Sequence, residues 1–245
     1  MTIAYQLYCS RNFPPLDGTL AMLADAGYRA VETYGGLYDD LDGLRAGLDR
    51  HGLAAPSGHF GLDVVEGDPA RTLEVARALG MGKVIVPYLD AAARPADRAG
   101  WEAFARRLHE AGAPVRDAGL AFAWHNHDFE LADVGGTTPL DLIAEAGLDL
   151  ELDLGWVARG GGDPAAWIGR LGPRITAVHV KDLAPAGETA EDGWTDVGAG
   201  TQAWRPIKAA LDAHGIDHLV IEHDNPSDHA RFARRSLRTV QGWGA

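Results

Sequence analysis

The chain has 245 residues, 46% of them hydrophobic, a formal net charge of −13 and a single cysteine, Cys9. That composition supplies a substantial core, excludes an intrachain disulfide or a thiolate metal cluster, and opposes binding to a nucleic-acid backbone, whose affinity comes largely from Lys and Arg displacing counterions. No apolar stretch approaches the roughly 20 residues needed to span a membrane, and the start, MTIAYQLYCSRN, lacks the basic and long apolar regions of a signal peptide. A cytoplasmic protein is expected, with no membrane or nucleic-acid partner.

In chain order, short β-rich runs alternate with longer Ala-, Leu- and Arg-rich segments of helical apolar spacing. Strands are predicted at Ile3–Cys9, Ala30–Tyr34, Ala54–Gly58 and Val84–Tyr88, then at Leu120–His125, Leu148–Asp153, Ala177–Lys181 and Leu219–His223. Between them the spacing predicts helices over Leu20–Ala26, Leu41–His51, Arg71–Leu79, Trp101–Ala118, Leu140–Ala146, Ala165–Leu171, Trp204–His214 and His229–Val240. A polar residue followed by proline marks helix starts at Asp68-Pro69, Thr138-Pro139, Asp163-Pro164 and Asn225-Pro226. Glycines at 27, 52, 80, 119, 147 and 215 suit helix ends before the next strand. Eight strand–helix pairs in a chain of this length predict a single (β/α)8 barrel over residues 1–245, with a doubly wound open sheet as the other candidate. The absence of a Gly-rich dinucleotide turn and of a Pro- or Ser-rich linker favours the closed, one-domain form.

In such a barrel, functional residues stand at the C-terminal ends of the strands. The most telling end is the fifth, where GLAFAWHNHDFE turns from an apolar run into His125, Asn126, His127, Asp128 and Glu130. Alternate residues of a strand share a face, so His125 and His127 can point the same way, as two ligands or as one ligand and a proton carrier. Glu32 ends the second strand and His59 follows the third. Asp153 ends the sixth, His179, Lys181 and Asp182 end the seventh, and Glu222, His223 and Asp224 end the eighth. Asp153, His179 and Glu222 come from three adjacent strands and, with a nitrogen from strand five, make a mixed N/O set suited to one Mn, Zn, Co or Fe ion. His51, His109 and His214 lie on ordinary amphipathic helices.

WHNHDFE, ELDLGWVARGGGDP, HVKD, TDVGAGTQAW and VIEHD, spread over residues 124 to 224, resemble the xylose isomerase-like TIM barrels known as sugar phosphate isomerases/epimerases. The resemblance implies one divalent metal held by Asp153, His179 and Glu222 together with a strand-five ligand. Where many relatives carry a glutamate before the asparagine, this chain has His125, which takes that place by alignment; His127 and Glu130 are the alternatives. The shared chemistry is proton abstraction α to a carbonyl of a sugar, keto-sugar or cyclitol, with the metal stabilising an enediolate. Glu222 or His127 serves as base and Lys181 polarises an oxygen or holds an anionic group. Glu32, His59, Glu130 and Trp156 bind substrate, Trp156 as an apolar plate for a C–H face. The expected activity is isomerisation or epimerisation. Replacement of a paired glutamate by His125 keeps open a lyase of the inosose dehydratase or 3-keto-glycoside eliminase type, and a metal-free sugar-binding barrel is the third reading. Relatives assemble as dimers or tetramers, so a homo-oligomer is among the expectations. GWTDVGAGTQAW is expected to form a loop covering the site after strand seven.

Overall fold

Period-two alternation decides the architecture. In AVETY, DLELD and ITAVHV the apolar residues Val31, Leu150, Leu152, Val178 and Val180 belong to one continuous hydrophobic cluster, while Glu32, Glu151, Asp153 and His179 point the other way and are equally buried. A sheet with two buried faces, one of them polar, is a sheet closed on itself. The structure, a computed structural model, describes residues 1–244. Eight parallel strands close the barrel: β1 Thr2–Gln6, β2 Ala30–Tyr34, β3 Ala54–His59, β4 Lys83–Val86, β5 Ala121–His125, β6 Asp149–Asp153, β7 Ile175–Val180 and β8 His218–Ile221. Each pairs with its sequence neighbours, and β8 closes on β1 through Thr2–His218 to Tyr5–Ile221. The predicted closed (β/α)8 barrel is the fold, and the open sheet is excluded. Among the described residues no helix is long and apolar enough to cross a membrane.

Register builds the barrel interior in layers. Gln6 lies opposite Glu32, Glu32 opposite Ser57, His125 opposite Glu151 and Asp153 opposite His179. Ala4, Ala30 and Val220 form a separate small cluster of their own, which leaves the larger polar groups the top of the barrel.

Several boundaries differ from expectation for local reasons. The first strand stops at Gln6, not Cys9, because the Gln6 side chain accepts from the Tyr8 amide (3.0 Å) and caps a 3-10 turn over Leu7–Ser10. The helix expected over 101–118 breaks into Arg98–Ala111 and Ala113–Asp117, where Pro114 has no N–H to continue the ladder. Asp68, Thr138 and Asp163 each cap a helix through the side chain. Asn225-Pro226 does not; Asp228 takes that part, accepting from the Arg231 amide (2.8 Å) to start His229–Gln241.

Candidate metal centre and cavity

Period two carries His125, Glu151, Asp153, His179 and Glu222 to the inside of the barrel at its C-terminal rim. His125, Asp153, His179 and Glu222 bring four donor atoms within 4.8 Å of one another. His179 Nδ1 stands 2.9 Å from Glu222 Oε2 and 3.8 Å from Asp153 Oδ2, and His125 Nε2 stands 3.9 Å from the same Asp153 oxygen. Asp153 is set from both sides. Its Oδ1 accepts from the Trp156 amide (2.7 Å), capping Leu154–Arg159, and its own amide donates to Asn126 Oδ1 (2.9 Å). Oδ2 is buried with no hydrogen-bond partner among the described residues.

Burial and neighbouring charge set the protonation of the cluster: Glu151 and Glu222, working against burial, hold the His179 ring well above the ordinary imidazole range. Burial pushes the Asp153 carboxyl up to about 7 against the pull of Lys181. Burial also acts to raise Glu222, but Lys181 and His179 outweigh it and hold the carboxyl well below the usual range. Burial, then the neighbouring His179, takes His125 down to about 4, so its ring is neutral with a free lone pair. Two imidazoles and two carboxylates, 2.9–3.9 Å apart at their facing atoms, bracket the spacing of about 3.4 Å between ligands of a tetrahedral ion with bonds of about 2.1 Å. A buried carboxylate oxygen is costly to leave without a partner, and coordination to such an ion supplies one. The donor set fits a borderline divalent ion.

Lys181 is fully buried. Its Nζ donates to Asp224 Oδ1 (2.6 Å) and Glu222 Oε2 (3.1 Å) and lies over the Trp194 and Trp156 rings at 4.3 and 4.9 Å. Its ammonium is thus engaged by carboxylates rather than presented to the cavity. Above the cluster opens a cavity of about 520 Å3, walled by Tyr8, Tyr34, Tyr88, His127 and Trp156, with His59, His125 and Glu222 at its floor and Arg11 and Asp224 at its edge. Burial, then His125 and Lys181, holds His127 well below the ordinary imidazole range. Its Nδ1 and the Trp156 Nε1 are buried without partners among the described residues.

Glu32 and Glu130 do not reach that wall. Glu130 is fully buried and accepts from Trp124 Nε1 (3.1 Å) and the His127 amide (2.8 Å), bracing the turn after β5. Glu32 lies a layer below, where it meets His179 Nε2 at 2.8 Å and His59 Nε2 at 3.0 Å. His59 also meets Glu151 (2.7 Å), and the two carboxylates, working against burial, raise the ring to about 9. Glu151 is the chief residue that sequence reasoning passed over. The signal was present: in ELD it precedes Asp153 by two and shares its face. The tyrosines of the rim carry no comparable signal. GWTDVGAGTQAW is a clamp rather than a cover. Asp182 accepts from the amides of Gly198, Gly200 and Gln202 and from Trp204 Nε1, and Trp194 packs edge-on against Trp156 (4.8 Å) from behind the cluster.

The model of the xylose isomerase-like TIM barrel family matches residues 20–241 of the chain. The rhizopine catabolism protein MocC of Rhizobium meliloti is 28% identical over 190 residues, 69% of this chain. The chain spans 58% of that relative's length. Among solved structures, a sugar phosphate isomerase/epimerase of Parabacteroides distasonis superposes with a TM-score of 0.82 at 18% identity, over 98% of this chain and 93% of that one. IolI, crystallised with a zinc atom, superposes with a TM-score of 0.79 at 14% identity, over 99% and 97%. At such identities the structural likeness is one of fold.

Proposed function

We propose that this chain, which belongs to the xylose isomerase-like TIM barrel family, is a divalent-metal-dependent isomerase or epimerase of a sugar, keto-sugar or cyclitol. The reaction is removal of a proton α to a carbonyl. The observation that carries the reading is the convergence of His125, Asp153, His179 and Glu222 beneath a cavity, with Asp153 Oδ2 left unpartnered. Mn, Zn, Co and Fe suit these donors, and the zinc in IolI supports that class of ion. When bound, such an ion supplies Lewis acidity toward a carbonyl oxygen.

The rest falls to side chains. His127 and Glu222 both face the cavity and are the candidate bases. His127 is neutral at pH 7 and has a free Nδ1, so it can take a proton. Glu222 stays ionised because Lys181 donates to it and the His179 ring lies beside it. Lys181 therefore acts through Glu222, setting its charge. Trp156 offers an apolar face and an unpartnered N–H to a sugar ring, and His59 offers a polar edge at the floor. Arg11, beside Asp224, is the only arginine or lysine on the wall among the described residues, which supports an unphosphorylated substrate.

The two candidate bases differ in kind: one is a carboxylate, the other a neutral imidazole with little tendency to hold a proton. Epimerisation needs a proton delivered to the opposite face, whereas elimination needs only one base. That asymmetry favours, as the second reading, a lyase of the inosose dehydratase or 3-keto-glycoside eliminase type on the same site. Elemental analysis of protein purified without chelator, beside an Asp153→Ala, Glu222→Ala double variant, tests the metal. About one ion per chain, lost in the variant, is expected. Assays in D2O then read deuterium at the α carbon, and isomer formation against release of water or alcohol separates the two reactions. Failure of the wild-type chain to hold any divalent ion after resupply overturns both and leaves a metal-free sugar-binding barrel.

A further inference from the structure

Below the four-donor cluster the barrel holds a second polar layer. Glu32, Glu151 and His179 are wholly buried and His59 nearly so. Ligand-like spacing extends into this layer, where His59, His125, Glu151 and His179 also bring donor atoms within 4.8 Å of one another. His179 belongs to both layers. Its Nδ1 faces Glu222 (2.9 Å) and Asp153 (3.8 Å), and its Nε2 faces Glu32 Oε1 (2.8 Å) and Glu151 Oε2 (3.0 Å). Glu32 itself is fixed by strand register. Gln6 Nε2 donates to its Oε1 (2.8 Å) and Ser57 Oγ to its Oε2 (2.5 Å), each from the strand paired beside it.

We propose that Glu32 is a positioning residue for His179: its carboxylate keeps a proton on Nε2 and so leaves Nδ1 as the lone pair directed at Asp153 and Glu222. This role rests on the metal reading of the upper cluster. Both ring nitrogens of His179 meet carboxylates, so it is an ion at the upper cluster, taking the lone pair of Nδ1, that leaves the ring one N–H, held on Nε2 toward Glu32. Without Glu32 the more distant Glu151 is the carboxylate left at Nε2 (3.0 Å), and the ring more readily takes the other tautomer, which turns an N–H into the donor cluster. Glu32 has no access to the cavity wall, so it acts on any ligand only through His179. The lower set is then not a second metal site. Filling both sets at once would need His125 and His179 each to give both nitrogens, that is, to lose both protons, whereas in this arrangement Glu32, 2.8 Å away, keeps the remaining proton of His179 on Nε2. Glu151 and His59 complete the layer, the imidazole offsetting two adjacent carboxylates.

The test uses the full chain and zinc as the probe. Zinc affinity and stoichiometry are measured by competition with a chromophoric chelator for the wild type, Glu32→Gln and Glu32→Ala. Histidine side-chain 1H–15N correlation spectra of the zinc-loaded proteins read which nitrogen of His179 carries the proton. The wild type should bind one zinc per chain with His179 protonated at Nε2. Glu32→Gln, which keeps the shape but not the charge, should weaken zinc by about 10–100-fold with an unchanged circular dichroism spectrum, and should lose or broaden the Nε2–H signal. Glu32→Ala leaves a buried gap that can itself prevent folding, so the isosteric Gln variant decides. Zinc bound by the wild type but weakened less than twofold in Glu32→Gln, His179 coordinated through Nε2, or two zincs per chain overturns the positioning role alone. A wild type that binds no zinc overturns the metal reading and the positioning role with it.

Discussion

Replacing Glu130 by glutamine should remove a pH dependence, so that the variant gains on the wild type as pH rises from 5 to 8. Glu130 is wholly buried, and burial pushes its carboxyl from the ordinary 4.5 up to about 8, against the pull of the His127 amide and Trp124 Nε1. Between those values the unfolded chain has released the proton while the native chain still holds it. The native state thus binds more protons, and the stability this group contributes is fully present below 4.5 and lost as pH rises through about 8. At about 1.4 kcal/mol per pH unit the loss across the interval is about 5 kcal/mol as a ceiling. A glutamine carries no such dependence, though its NH2 meets one of the two N–H donors at a cost independent of pH, so relative to the wild type Glu130→Gln should gain about 2–4 kcal/mol between pH 5 and pH 8. In a chain of this size that is a rise in Tm of about 4–16 °C. Urea unfolding followed by circular dichroism at pH 5, 6.5 and 8 measures the difference. All other titrating groups are common to both proteins and cancel. A gap between variant and wild type that does not change with pH, or that moves against the variant as pH rises, refutes the reasoning.

Asp153→Ala removes the oxygen that has no other partner, and should weaken zinc or manganese by more than about 100-fold while leaving Tm of the metal-free protein within a few degrees; a loss confined to about twofold in chelator competition would remove Asp153 from the ligand set. Lys181→Met leaves Glu222, Asp224 and Asp153 without their shared buried cation. Thermal unfolding of the metal-free protein should show a loss of about 3–5 kcal/mol, partly recovered on adding metal; a loss under about 1 kcal/mol contradicts the charge balance described. Gly27 ends the helix Leu16–Ala26 at φ 108°, and a Cβ there would meet only Leu237 at an ordinary 3.7 Å. Gly27→Ala should therefore cost about 1–2 kcal/mol of backbone strain alone, and a urea midpoint equal to that of the wild type would show the turn relaxing instead.

The barrel and most of the four-donor cluster were legible in the residues alone. Alternation in AVETY, DLELD and ITAVHV, caps at Asp68, Thr138 and Asp163 and glycines at helix ends are local signals, each acting within a few residues, and together they specify eight strand–helix units. Because period two puts the last polar residue of each strand inside the rim, Asp153, His179 and Glu222 could be read as neighbours before any coordinates, with His125 added from strand five by the family resemblance. Which carboxylates face a ligand and which face one another was settled by the closed barrel. Glu32 and Glu222 read alike as strand-end glutamates. Yet the stagger of the register sets Glu32 beside Gln6 and Ser57 in the closed layer, while Glu222 opens to the cavity. Glu130, three residues past His127, turns back under its own strand to Trp124, which depends on the 3-10 turn over Phe129–Leu131. Lys181 is claimed by Asp224 across two strand ends. Depth along the barrel axis and pairing between distant strands arise from closure of the sheet, and no short stretch of residues encodes them.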